Sequence, residues 1–452
     1  MKIRALISLI LTCTVLVAAV TVLAVSGVLG GVVQCISQLF ESGVQLDRLD
    51  DLLNGDFGDL PSSGDRDPDG SGDPVSPGDA TFEQVILSGL SAMEETISVA
   101  QLSLTEAELR EQMEFFFFTH PEVFYVSTGY QIGTKKGSDF VDCVRLTYLY
   151  DRHEIPSMIE TYEQRIAQIA QGVPTGASEF DTVLYLHDYI VGNFSYDYRN
   201  VSSSERIRDV YRFLDQRTGV CQAYMLLMIA LCNEVGIDCL PVTSEEMNHA
   251  WNLVLVDGVW YHVDITWDDA GGESAAVYPS YISYDYFLLS GEALRDSGRE
   301  VAWKALKEAT DTRYDEALWR DAATPMLVHD GLYYCSYYDE RMGTVICRGT
   351  PTEMNVIKIL NGARWESATG IYQAAWATLV SYQGKLLFNT ATSICTYDLI
   401  TGIVREVMDL SDTLGDLQIF GICEYTEEGM LTLVVAPDYK GTHELRTVTL
   451  TQ

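Results

Sequence analysis

Positive charge is scarce in this chain of 452 residues: 29 Lys and Arg stand against 65 Asp and Glu, a formal net charge of −36 at pH 7. That balance argues against a nucleic-acid partner, whose phosphates demand a basic surface. It argues equally against electrostatic docking onto an anionic bilayer. Ten cysteines occur, but none are spaced as CxxC and no regular interval relates them. Neither a disulfide framework nor a zinc site is expected from that pattern. The sequence also lacks an HExxH motif, a phosphate-cradling glycine loop and an EF-hand loop, so no metal and no cofactor are expected. What is there is a chain with 47% hydrophobic residues, long enough for two or three domains with cores of their own.

The first forty residues form a distinct segment. Lys2 and Arg4 precede an uncharged apolar stretch from Ala5 to about Val33. A secretory core spans roughly 7–15 residues and a membrane-crossing helix needs about 20. Residues 1–40 therefore read as a signal-anchor or transmembrane segment, with the two cations holding its N-terminal end in the cytoplasm. Ala24-Val25-Ser26 is a small-x-small cleavage site, which makes secretion the alternative. The expectation is a single-pass protein of the cell membrane with extracellular C-terminal domains. Residues 41–80 turn to Asp, Gly, Pro and Ser, too polar and self-repelling to bury a core, and read as a disordered acidic linker.

Beyond the linker the apolar patterning returns. Residues 81–154 read as an α+β subdomain. Helical apolar spacing runs over 82–117, with a helix start at Thr105-Glu106-Ala107-Glu108, and strands are expected at Pro121–Tyr130 and Phe140–Tyr150. Helices are expected over Ser157–Gln171 and Phe180–Ile190. Residues 312–452 read as an all-β module. Asp330-Gly331, Gln383-Gly384 and Glu428-Gly429 each separate two β-prone runs, at intervals of about 45–50 residues. The repeat is that of propeller blades, with a small β-sandwich as the alternative. No catalytic constellation falls there, so the module is expected to be structural or to bind a partner.

The informative segment is 217–268. Gln222 to Glu234 is almost continuously apolar and ends at Val235-Gly236, the pattern of a buried helix with a glycine cap. Cys221 then falls in the first helical turn, where free N–H groups and the helix dipole favour a thiolate. Cys232 and Cys239 read as ordinary buried thiols. Asn248–Val256 and Val259–Thr266 are β-prone runs joined by Asp257-Gly258, a hairpin signal. In that register Val256 faces Val259, Leu253 faces His262 and Trp251 faces Asp264, which puts His249 and Asp264 on one sheet face as diagonal neighbours. A thiol attacking an amide needs a base, and the base needs an orienting group. Cys221, His249 and Asp264 supply the three, and the Cys221 N–H at the helix start supplies an oxyanion donor. His262 lies nearer the hairpin tip and reads as a structural or surface histidine.

Three blocks in this order resemble the transglutaminase-like superfamily: Gly219-Val220-Cys221-Gln222-Ala223-Tyr224, then His249-Ala250-Trp251-Asn252, then Gly258-Val259-Trp260-Tyr261-His262-Val263-Asp264 through Asp268. Upstream, His187-Asp188-Tyr189 and Phe194-Ser195-Tyr196-Asp197 are similar to the helix and turn that precede the cysteine in bacterial members. The resemblance covers roughly residues 155–290, with a weaker likeness back to about residue 85. Ala223 departs from the glycine of many bacterial members, at a position outside the triad. The resemblance implies a papain-like α+β core, residues 155–311, in which a helix bearing the cysteine packs on an antiparallel sheet bearing His and Asp. It implies a bacterial membrane-anchored or secreted cysteine protease or acyltransferase. Protein, peptide or cell-wall peptide amides are the implied substrates. Hydrolysis is favoured over cross-linking because no amine-acceptor feature stands out. Gln216 and Tyr196 are the candidate side-chain oxyanion donors. The competing expectation is a non-catalytic surface scaffold that uses this fold and the β-module for binding. The sequence gives no oligomeric state.

Overall fold

The structure is a computed structural model and describes residues 80–198, 209–269, 282–297, 301–367, 370–426, 428–438 and 442–450. Among these residues no helix is long and apolar enough to cross a membrane. The longest helix, over Ile155–Ala170, has 16 residues and one polar face, short of the about 20 apolar residues a span requires. The expected single-pass membrane protein is corrected on that finding. The Ala5–Val33 stretch on which it rested, like the acidic run up to residue 79, lies outside the described residues.

Capping boxes start the first two long helices. Thr81 and Gln84 exchange side-chain and backbone bonds at α1 (Phe82–Ser91), and Thr105 and Glu108 do so at α2 (Glu106–Thr119). With them lies an antiparallel sheet, β1 (Thr96–Ser98), β2 (Gln131–Thr134) and β3 (Val141–Arg145), in the order β1-β3-β2. The strand expected over Pro121–Tyr130 does not form. Pro121 instead opens a 3-10 turn through Val123, because a proline ring fits a first helical turn and offers no N–H to a ladder. Only an isolated bridge, Val126 to Tyr148, survives of that pairing.

The helices α3 (Ile155–Ala170) and α4 (Glu179–Asn193) follow, close to their expected bounds. Then come β4 (Ser195–Tyr196), α5 (Val210–Gln216) and β5 (Thr218–Gly219), the two short strands pairing in parallel. At the centre is α6 (Cys221–Val235), whose residues Ala223 to Cys232 are all buried. A helix apolar on every side must be surrounded. Its neighbours are α3, α4, α5 and an antiparallel sheet of β6 (Cys239–Ser244), β7 (His249–Val256) and β8 (Val259–Val263), in the order β6-β7-β8. A one-turn α7 (Ile265–Asp268) and α8 (Gly291–Asp296) close this part.

Beyond residue 326 the chain is almost all antiparallel sheet. The first sheet is β9 (Leu327–His329), β10 (Leu332–Asp339), β11 (Gly343–Thr350) and β12 (Glu353–Ile359). After the small pair β13 (Glu366–Ser367) and β14 (Gly370–Ile371) comes a second sheet, β15 (Leu379–Tyr382), β16 (Lys385–Asn389), β17 (Ser393–Tyr397) and β18 (Val404–Asp409). A third holds β19 (Gln418–Tyr425), β20 (Met430–Ala436) and β21 (Glu444–Thr449). Each is an up-and-down meander, and each of the three expected glycine turns joins two of its neighbouring strands. The core of the helical part extends into the first of these sheets, where Tyr333, Cys335, Val345 and Cys347 belong to it. The Tyr333 hydroxyl there meets Asp181 of α4 at 2.5 Å.

Candidate active site

The hairpin carrying His249 forms in the register the Asp-Gly turn dictates. Asp257 and Gly258 both have positive φ, +52° and +76°, which a two-residue turn matched to strand twist requires. Val256 pairs with Val259, Leu255 with Trp260 and Leu253 with His262. The ladder stops at Asn252 and Val263, so the expected Trp251–Asp264 pair is not part of it. Asp264 leaves the strand there and becomes the N-cap of α7, its Oδ1 accepting the Trp267 N–H at 3.2 Å. Its other oxygen, Oδ2, lies 2.7 Å from His249 Nε2.

Cys221 is the first residue of α6 and is half-buried. Its N-cap, Val220, makes no side-chain cap; its carbonyl accepts the Ala223 N–H at 2.8 Å, and the Cys221 and Gln222 N–H groups precede that bond in the first turn. The approach to the cysteine depends on Gly219. A Cβ there would stand 2.8 Å from Phe213 Cδ2 and 2.9 Å from the Ala223 Cβ. The helix and the sheet are tied together by Asn252, whose Nδ2 donates to the Met225 carbonyl at 3.2 Å and reaches the Cys239 sulfur at 3.3 Å.

Burial disfavours a charged His249 ring, yet the ring is held up at about 9. The Asp264 charge and hydrogen bond outweigh burial, and the neighbouring Cys221 thiol adds to them. The ring is also fixed from both sides. Trp251 stacks on it at 5.5 Å between centroids, and Trp267 meets it edge-on at 5.7 Å. Trp251 is held in turn by its indole N–H, which donates to His262 Nδ1 at 3.1 Å. His262 is buried, which makes it structural and not a surface histidine.

The two expected side-chain oxyanion donors differ in placement. Gln216 is exposed at the end of α5, and its Oε1 accepts from Arg212 at 2.8 Å. Tyr196 is half-buried on β4, opposite Gly219 and so next to the cysteine-bearing turn. Cys232 and Cys239 are buried, as read from the sequence. A cavity of about 720 Å³ lies away from all of these, lined by Glu95, Arg145, Tyr148 and Arg152 among others, with Arg152 ion-paired to Glu95.

One buried group near the site enters the sequence reading only through the resemblance, with no role assigned to it. His187 of α4 is fully enclosed, with Nδ1 at 3.0 Å from Asp188 Oδ1 and Nε2 at 3.1 Å from Asp268 Oδ2. Burial opposes its charge, but the two carboxylates hold the ring up at about 9. Burial also pushes the Asp188 and Asp268 carboxyls up, against the pull of the His187 charge. The signal was available: His187 falls on the stripe of Phe180, Val183, Leu184 and Ile190, and a polar side chain on a core stripe needs a buried partner.

The profile of the transglutaminase-like superfamily matches residues 167–265, from the end of α3 through Ile265. This span is a transglutaminase-like domain. Among curated proteins the chain is similar to the mouse Kyphoscoliosis peptidase, 24% identical over 135 residues, covering 26% of this chain and 20% of that one. It is 25% identical over 116 residues to the human Kyphoscoliosis peptidase, covering 22% of this chain and 17% of that one. The chain thus spans a fifth or less of the curated relatives it matches. Two solved structures are also similar to it. A candidate cysteine protease from Cytophaga hutchinsonii is 15% identical, covers 30% of this chain and 61% of that one, and has a TM-score of 0.20. A structure named as a TGase is 14% identical, covers 38% and 50%, and has a TM-score of 0.21. At such TM-scores neither bears on the site. The transglutaminase-like domain contains all three residues of the Cys221, His249 and Asp264 cluster.

Proposed function

We propose that this chain is a cysteine-nucleophile acyl-transfer enzyme acting on peptide or isopeptide amides, with water preferred over an amine as acceptor. The observation that carries the reading is the 2.7 Å bond from Asp264 to a His249 ring that the neighbouring Cys221 thiol helps to hold protonated. In this reading Cys221 Sγ attacks the amide carbonyl carbon while His249 takes the thiol proton. The negative oxygen of the tetrahedral adduct is received by the Cys221 N–H at the start of α6, where no side chain caps the helix. The C–N bond then breaks, His249 returns its proton to the leaving amine, and a Cys221 thioester remains. Water, deprotonated by His249, cleaves the thioester and regenerates the thiol. Asp264 keeps the ring in one tautomer and balances the imidazolium throughout. The preference for water is supported by the name peptidase borne by both curated relatives.

The test is product analysis by mass spectrometry on a library of glutamine-containing peptides, with and without a primary amine. Cleaved or deamidated peptide from the native chain and none from Cys221→Ala is the expected result. A dominant isopeptide product would reverse the preference for water. Product formation unaffected by Cys221→Ala would overturn the reading.

A further inference from the structure

We propose that Asp268 and His187 are positioning residues for Asp264, holding the one-turn helix that aims its carboxylate at His249. The inference rests on the acyl-transfer reading above. Asp264 and Asp268 are the two ends of a single turn: the Asp268 N–H donates to the Asp264 carbonyl at 3.1 Å. So short a helix has no stability of its own. Its geometry must come from what grips its far end.

The grip is the Asp268 carboxylate, which is fully buried. Oδ1 accepts the Tyr286 N–H at 2.9 Å and the Ser283 hydroxyl at 3.2 Å, while Oδ2 faces His187 Nε2 at 3.1 Å. The Tyr286 carbonyl then accepts the Asp264 N–H at 3.1 Å. A closed ring results: Asp268 fixes the 283–286 segment, that segment fixes the Asp264 backbone, and the Asp264 Oδ1 is fixed by Trp267. The Asp264 Oδ2 lies 2.7 Å from His249 Nε2. His187 is itself braced through Asp188, whose Oδ2 accepts the Tyr284 hydroxyl at 2.9 Å. Arg320 closes the group by donating to the Tyr284 and Asp285 carbonyls at 2.7 and 3.2 Å.

His187 and Asp268 are fully buried, with Asp188 and Arg320 half-buried beside them. Such clusters add little net stability, because desolvation offsets the attraction, and well-packed apolar residues serve as well for that purpose. Geometry is what an apolar replacement does not supply. The acceptor count of one carboxylate, three bonds to two segments, matches a clamp.

The experiment uses the full chain and two readouts: the pH profile of Cys221 alkylation by iodoacetamide, and the titration of the His249 ring followed by NMR. The variants are Asp268→Asn, His187→Gln and the milder Ser283→Ala, with Asp264→Asn, His249→Ala and the double variant Asp264→Asn/Asp268→Asn as references. The expected result is a drop in the His249 titration and a tenfold or greater slowing of Cys221 labelling at pH 6 in Asp268→Asn and His187→Gln. Ser283→Ala, which changes no charge, is expected to move both in the same direction by less. The double variant should be no worse than Asp264→Asn, since the two act as one unit. Loss of stability with an unmoved His249 titration, or additive effects in the double variant, would overturn the positioning role. If His249→Ala leaves Cys221 labelling unchanged, the acyl-transfer reading itself fails, and the two failures are told apart. Should Asp268→Asn not fold, an unmoved profile in Ser283→Ala decides against the proposal.

Discussion

His249 Nε2 and Asp264 Oδ2 lie 2.7 Å apart although their residues are separated by 15 positions in the chain. The contact is shielded, the two side chains being 8% and 1% exposed. In such a setting a charge-assisted hydrogen bond is strong and its loss is felt. Asp264→Asn is the clean probe, since asparagine caps a helix as well as aspartate does and α7 should still start. The amide group can hold the wrong tautomer against His249, which leaves no acceptor for the thiol proton. The expected outcome is a His249 titration falling from about 9 toward the ordinary 6.5, with acyl transfer slowed by about 10²- to 10⁴-fold. NMR of the ring and single-turnover kinetics check it; an unmoved titration would count against the pair.

Much of this geometry was legible in residues 248–268, and the reason is local. An Asp-Gly turn fixes its own register, and a strand period of two then fixes which side chains share a face. The glycine cap and apolar run of α6 were equally local, since helix ends are written in the residues that form them. The failures are of other kinds. Pro121–Tyr130 has strand-like composition, yet a proline at its head turned it into a 3-10 turn, a case of backbone chemistry overriding side-chain propensity. Asp264 was expected in a strand and serves as a helix cap, which keeps the same neighbour by a different route. The His187–Asp268 pair was out of reach because it joins residues 81 positions apart on two elements whose packing no periodicity reports. His187 carried a hint, as a polar residue on an apolar stripe, without naming the partner.

The cysteines should separate sharply in reactivity. Cys232, Cys335 and Cys347 are fully buried and Cys239 nearly so, while Cys221 is half-buried at the start of α6. Burial pushes the Cys239 thiol well above its usual value, and the Cys335 thiol is pushed the same way by its bond to the directly opposed Cys347. Iodoacetamide on the folded chain at pH 6–7 is expected to label Cys221 first, with these four waiting for unfolding. His249→Ala should slow Cys221 by tenfold or more and leave the other four unchanged. Peptide mass spectrometry reads both. Equal labelling of Cys221 and Cys232 would mean the thiol and ring do not cooperate.

Stability should fall as the solution becomes alkaline, in a window that His187 shares with His249, also held up at about 9. Its folded value, about 9, lies above the 6.5 of an unfolded chain, so the folded state binds the extra proton. The contribution is complete below pH 6.5, declines as pH rises, and is gone once pH passes about 9. Urea denaturation at pH 6 and pH 9 measures it. His187→Gln is expected to be less stable than the native chain at pH 6, and to lose correspondingly less between the two pH values. An equal pH slope in both chains would mean His187 does not carry the proton.

Gly219 and Ala223 make the last case, because the two positions compete for one space. A Cβ on residue 219 would come within 2.9 Å of the Ala223 Cβ and 2.8 Å of Phe213 Cδ2, closer than carbon atoms pack. Gly219→Ala must therefore shift the turn that leads directly into Cys221, at a cost of about 1–3 kcal/mol for overpacking. The parallel pairing of Gly219 with Tyr196, and the bond from the Asp197 N–H to the Gly219 carbonyl at 2.8 Å, should loosen with it. Cys221 labelling is expected to slow, since the thiol moves relative to a His249 ring fixed by its own sheet. Ala223→Gly alone should cost about 1 kcal/mol through helix propensity. Together the two changes should be less damaging than their sum, because the second removes one of the two clashes made by the first. The rescue is partial, as Phe213 still blocks the new methyl group. Thermal denaturation and labelling of the four chains test the coupling, and strict additivity would show that the contact at residue 223 is relieved by backbone movement instead.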